Sequence, residues 1–130
     1  MLFRSDFVKW VIDSLINEKI IKIVTDQCGN PTFIDDIVSA IDVIIELKKE
    51  GVYNIAGKEI ISRFDFANFV AKYFKLDNNL ILPITTQELK QSAPRPLKSG
   101  LITLKAETEL GYESHTYEET FSLMKDELEL

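Results

Sequence analysis

Apolar positions along the chain recur first with helical spacing, then with strand spacing, and the two alternate to the end. Between Ser5 and Glu18, Phe7, Val11 and Leu15 share one helical face with Trp10 and Ser14 beside them, and Ser5 stands where an N-cap belongs. Ile20–Thr25 (IIKIVT) is β-branched and apolar, which predicts a short strand. Asp26–Thr32 (DQCGNPT) is rich in turn formers. Asp35–Lys49 predicts a second helix, with Ile37, Ile41, Ile44 and Ile45 on one face. Its leading Asp35 and Asp36 and trailing Lys48 and Lys49 suit the helix dipole, and Gly51 is the expected C-cap. Val52–Ala56 (VYNIA) predicts a second strand.

Ser62, with Asp65 three residues on, opens a third helix to about Lys75 that carries Phe64, Phe66, Phe69, Tyr73 and Phe74. Leu80–Ile84 (LILPI) predicts a third strand, and Pro83 assigns it to an edge or an end. Thr85 and Glu88 form a capping-box pattern before a short helix to about Gln91. Ser92–Ser99 reads as a loop, Thr103–Leu110 as a short helix stopped by Gly111, and Thr116 with Glu119 as the cap of a last helix bearing Phe121. The expectation is one α/β domain over residues 1–130, with amphipathic helices around a few short strands. Three short strands are near the minimum for an independent sheet, so this one is expected to lean on further structure.

Composition narrows the function classes. The chain has 130 residues, 45% of them hydrophobic and 28% charged, which suits a globular fold. Its net charge of −6 argues against nucleic acid as a partner. A single cysteine, Cys28, excludes an internal disulfide framework, and a single histidine, His115, argues against a His-based metal site. Cys28 lacks any motif that would lower its pKa and is read as inert. His115 is read as an exposed residue between two helices. No apolar run approaches the ~20 residues of a membrane span, and the N-terminus has no secretory apolar region, so the expectation is a cytoplasmic protein away from membranes.

Catalytic patterns are missing from the residues. Gly29, Gly51, Gly57, Gly100 and Gly111 are too far apart to build a dinucleotide or P-loop turn. None of Tyr53, Tyr73, Tyr112 and Tyr117 is followed by a lysine four residues later. No catalytic, cofactor-binding or metal-ligating residue is therefore assigned.

Several motifs nevertheless occur together in order. These are Asp26-Gln27-Cys28-Gly29-Asn30-Pro31-Thr32 followed by an acidic helix start, GVYNIAGKEIISRFDFA (Gly51–Ala67), ITTQEL (Ile84–Leu89), APRPLKSGL (Ala93–Leu101) and DFVKWVI (Asp6–Ile12). In this order they resemble the C-terminal, substrate-binding half of the dTDP-4-dehydrorhamnose reductase family, within the extended short-chain dehydrogenase/reductase superfamily. The resemblance covers nearly the whole chain. It implies an α/β substrate-binding domain whose partner Rossmann domain, with its glycine-rich turn and Tyr-x-x-x-Lys pair, is not in this sequence. Met1-Leu2-Phe3 then resembles the tail of a late strand of that domain. The chain is accordingly expected to be a fragment, a truncated gene or one piece of a split protein.

The resemblance also implies where a ligand sits. The full-length family uses NAD(P)H to reduce the C4 ketone of a dTDP-sugar, and this portion holds the nucleotide-sugar. It puts Gln27, Gly29, Pro31 and Thr32 on a loop facing that ligand, whereas their residue types alone suit a left-handed turn at Gly29–Asn30 equally well. Arg95 is the leading candidate. Guanidinium clamps phosphate bidentately, and Pro94 and Pro96 hold its backbone extended. Ser99 and Lys98 are weaker candidates beside it, and Arg63 is read as solvated. Trp10 borders the pocket by the resemblance, or packs a domain interface as a large aromatic residue often does. Two other readings stand beside the reductase part. One is a non-catalytic regulatory module, as the methionine adenosyltransferase β subunit is within the same superfamily; the other is an inactive remnant of a split gene.

Overall fold

The fold is known from a computed structural model that describes residues 7–128. Ser5 as a cap and Met1–Phe3 as a strand tail lie outside the described residues. In chain order the elements are α1 (Phe7–Ile16), β1 (Ile21–Val24), β2 (Cys28–Gly29), α2 (Ile34–Glu46), β3 (Ile61–Ser62), α3 (Arg63–Tyr73), a 3-10 turn (Asn78–Leu80), β4 (Ile81–Ile84), α4 (Thr86–Leu89), β5 (Lys98–Ser99), α5 (Leu104–Leu110) and α6 (Tyr117–Glu127). The described residues thus form an α/β fold of six helices and a few short strands, as expected. They divide into two units: residues up to Cys28 with Ile61–Lys98, and Gly29–Ile60 with Ser99 onward.

In the first unit β1 and β4 pair in parallel, with Ile21 opposite Ile81 and Val24 opposite Ile84. Parallel strands need a crossover, and α3 supplies it, packing on both strands and on α1. Val11, Leu15, Ile23 and Ile81, read from the helical and strand periods, are buried, and Ile12 and Val70 join them. Pro83 lies within β4 opposite Ile23. It is tolerated there because a strand of a two-stranded sheet has a free edge. The Ser62 hydroxyl accepts from the Asp65 amide and caps α3 as the pattern requires.

In the second unit α2 packs against α5. Thr116 and Glu119 close a full capping box on α6, and Phe121 of that helix is completely buried. Gly111 ends α5 in the left-handed conformation at φ 65°. Two expectations fail in this unit. The helix stops at Glu46, before Gly51, because Lys48 adopts φ 51° and the amides of Lys48 and Lys49 turn back to Ile45 and Ile44. Val52–Ala56 forms no strand, because none of its residues finds a backbone partner among the described ones.

Candidate functional site

At the end of β1 three consecutive residues tie the first unit together. Asp26 accepts from the Thr86 amide at 3.0 Å and the Thr86 hydroxyl at 2.6 Å, fastening the start of α4. The Thr86 hydroxyl bond holds the Asp26 carboxyl below the ordinary aspartate range. Gln27 is buried, and its Nε2 donates to Thr86 Oγ1 at 3.1 Å and to Gln91 Oε1 at 2.9 Å. Its carbonyl accepts from the Arg63 amide at the start of α3, and the Cys28 amide donates to the Leu97 carbonyl. The amide nitrogen of Gln27 is therefore occupied in bracing α4 and the segment after it.

Trp10 and Arg95 are in the same unit. Trp10 is 41% exposed and tilts against Phe7, which stacks on Phe66 and lies under the Arg63 guanidinium. Arg95 is exposed between its two prolines and has no hydrogen bond or ion pair among the described residues. Gln27, Trp10 and Arg95 share no hydrogen bond, ion pair or ring contact with one another.

The second unit brings its candidates into one knot of loops. The Thr32 hydroxyl donates to the Asn30 carbonyl at 2.9 Å and accepts from the Gly57 amide at 3.2 Å. Asn30 donates to the Gly57 carbonyl and accepts from the Leu101 amide, both at 2.8 Å. A side chain at Gly57 would start 2.0 Å from the Pro31 carbonyl, and one at Gly29 would start 2.9 Å from the Ser99 carbonyl. Gly29, Pro31, Thr32 and Ser99 thus surround the junction that Asn30 holds. The left-handed turn open to Gly29–Asn30 does not form, since neither has positive φ and Gly29 lies in β2.

Sequence reasoning did not find three arrangements. Asp36, read as a helix-dipole charge, is 3% exposed and accepts from both the amide and the Nδ1 of His115. That bond raises the His115 pKa above its ordinary value, and the ring meets Phe33 edge-on. Tyr53 donates to Glu109 at 2.5 Å with Lys105 over its ring, and the Glu109 bond raises the Tyr53 pKa. Burial pushes Tyr117 up to about 12. The Asp36–His115 and Tyr53–Glu109 pairings join residues 79 and 56 positions apart, and no local pattern signals them. Among the described residues, no group of three or more His, Cys, Asp or Glu could hold a metal ion, and no helix is long and apolar enough to cross a membrane.

The fold is that of the extended short-chain dehydrogenase/reductase enzymes. A dTDP-4-dehydrorhamnose reductase from Clostridium acetobutylicum superposes with a TM-score of 0.86 at 29% identity, covering 98% of this chain and 45% of that one. The NADP complex of a dTDP-4-dehydrorhamnose reductase from Bacillus anthracis gives a TM-score of 0.83 at 25% identity, covering 97% of this chain and 44% of that one. The RmlD substrate binding domain model matches residues 3–130, and the chain belongs to that family. Among curated relatives, the dTDP-4-dehydrorhamnose reductase of Aggregatibacter actinomycetemcomitans is 30% identical over 120 residues, which is 84% of this chain and 41% of the relative. The spore coat polysaccharide biosynthesis protein SpsK of Bacillus subtilis is 29% identical over 97 residues, 75% of this chain and 34% of the relative. The chain therefore spans well under half the length of these relatives.

Proposed function

We propose that this chain is the nucleotide-sugar-binding portion of a dTDP-4-dehydrorhamnose-reductase-like, NAD(P)-dependent oxidoreductase, acting as one portion over residues 1–130 in the cytoplasm. The observation that carries the reading is the substrate-binding family match over residues 3–130. Its role is to hold a dTDP-sugar against the nicotinamide, a contribution of proximity and orientation. Arg95 anchors the diphosphate, since it is exposed, unpaired and conformationally restricted. Trp10 offers an exposed ring for a base or sugar. Gln27, Gly29, Pro31, Thr32 and Ser99 shape the loops, because their polar groups and backbones are already engaged in bracing.

The residues here do not fit the dinucleotide itself. Gly29 and Gly57 face carbonyls, Gly51 and Gly111 follow helices, and no Tyr-x-x-x-Lys pair is present. Hydride transfer therefore belongs to a dinucleotide-binding half supplied in cis or in trans, and the chain alone does not turn over. The test combines calorimetry with dTDP-sugar and absorbance at 340 nm with NADPH and a dTDP-4-keto sugar. Binding without turnover is expected, and Arg95→Ala should weaken binding roughly tenfold or more without changing the melting temperature. Turnover by the chain alone, or binding indifferent to Arg95, overturns the reading.

A further inference from the structure

Arg95 stands in a segment that is stiff within itself. Pro94 and Pro96 fix their own φ, and each confines the residue before it, Ala93 and Arg95, to extended backbone. Ser92–Pro96 is exposed throughout and makes no hydrogen bond among the described residues. A stiff segment without bonds of its own is placed by whatever holds its two ends.

Two consecutive residues hold those ends. The Cys28 amide donates to the Leu97 carbonyl at 2.7 Å. At the other end Gln27 Nε2 donates to Gln91 Oε1 at 2.9 Å, just after Lys90 turns the chain out of α4 with φ 50°. Gln27 is itself tied to the interior of the unit. It is buried beyond the end of β1, and its carbonyl accepts from the Arg63 amide. The orientation of its side-chain amide is also set. The Asp26 carboxylate can only accept, so the Thr86 hydroxyl donates its proton there at 2.6 Å and can only accept from Gln27. The nitrogen of Gln27 therefore faces Thr86, and its second N–H is left for Gln91. Gln91 is exposed, so that bond places the segment without filling the core.

We infer that Gln91 is a positioning residue: gripped through Asp26, Thr86 and Gln27, it holds Arg95 where the guanidinium meets a diphosphate. The inference rests on the proposed function for the ligand of Arg95, whereas the restraint on Arg95 is read without any ligand. Backbone amide relaxation of the full chain supplies that reading. In Gln91→Ala the order parameter at Arg95 should fall from about 0.85 towards about 0.6, with the melting temperature unchanged. Gln91→Glu keeps an acceptor for Gln27 and should restore the order.

Calorimetry with dTDP reads the consequence. Gln91→Ala should weaken binding about three- to tenfold, the cost of ordering a freed cationic side chain on the ligand. In an Arg95→Ala background the same change should weaken binding no further, since the positioned group is gone. Three outcomes overturn the inference: order at Arg95 unchanged in Gln91→Ala; full affinity in Gln91→Ala where Arg95→Ala binds weakly; or losses that add in the double variant, which make Gln91 a ligand contact. Binding of dTDP that is absent or indifferent to Arg95 refutes the proposed function instead, and the order parameters then decide the restraint alone.

Discussion

The two units are similar in length and unlike in how they use their apolar residues. Among the described residues the first buries twelve hydrophobic side chains, mostly Val, Ile, Leu and Phe from α1, β1, α3 and β4. The second buries five, and three of these are alanines: Ala40, Ala56 and Ala106. Exposure runs the other way. Eleven of the large exposed hydrophobic residues are in the second unit and six in the first. Both units have the amphipathic patterning of a folded domain. The first closes that pattern on itself with a parallel strand pair and crossover helix. Among the described residues, the second leaves the run Val52–Ala56 without a backbone partner and a helix stripe of Ile34, Val38, Ile41 and Ile45 exposed.

The sharpest way to break this comparison is at Phe121, the one large side chain fully buried in the second unit among the described residues. With so few other core residues, Phe121→Ala should cost about 3–5 kcal/mol, as truncation of a buried phenylalanine does. Urea unfolding gives the loss, and amide exchange localises it. Protection should fall in α2, α5 and α6 while α1 and α3 keep theirs. Equal loss in α1 and α3 would show that the units unfold as one body and that their different cores do not set separate stabilities.

Gln27 sharpens the comparison from the first unit. Its two side-chain bonds, to Thr86 and Gln91, are part-buried, and removing them leaves Gln91 Oε1 without that donor. Gln27→Ala should cost about 1–3 kcal/mol, the range for a buried hydrogen-bonded group. That loss should appear as a lower urea midpoint with exchange raised at α4. A variant of unchanged stability that has lost dTDP-sugar affinity would instead make Gln27 a ligand contact.

Elements governed by local chemistry were legible in the sequence. The caps at Ser62, Thr85, Thr116 and Gly111 stand where their patterns place them, because capping is settled within a few residues. The end of α2 was not. Lys48 adopts left-handed φ of 51°, and it is not the glycine that normally marks such a stop. The missing strand at Val52–Ala56 is a different failure. Its composition is right, but a strand exists only with a neighbour, and none is among the described residues. Around the loops that carry Gln27 and Thr32, the bracing roles of Asp26, Asn30 and Asp36 depend on partners 27 to 79 positions away. No single-sequence pattern encodes those distances.

The smallest expected effect is the pH dependence of the second unit. Buried Asp36 takes two hydrogen bonds from His115, one from the ring and one from the amide, and the ring is 40% exposed. Asp36 is the main cause of the raised His115 pKa, with Glu119 and Asp35 adding to it against partial burial. A histidine whose folded value lies above ~6.5 stabilises fully below ~6.5 and loses that contribution as pH rises through the folded value. Solvent screening at a partly exposed ring keeps the effect to no more than about 1 kcal/mol. The urea midpoint should therefore fall modestly from slightly acidic to mildly alkaline pH, with a faster amide exchange at the start of α6. His115→Gln should flatten that slope, because the backbone amide still donates to Asp36 while the titrating ring is gone. A slope unchanged in His115→Gln would assign the pH response to other groups and leave Asp36 as a purely structural acceptor.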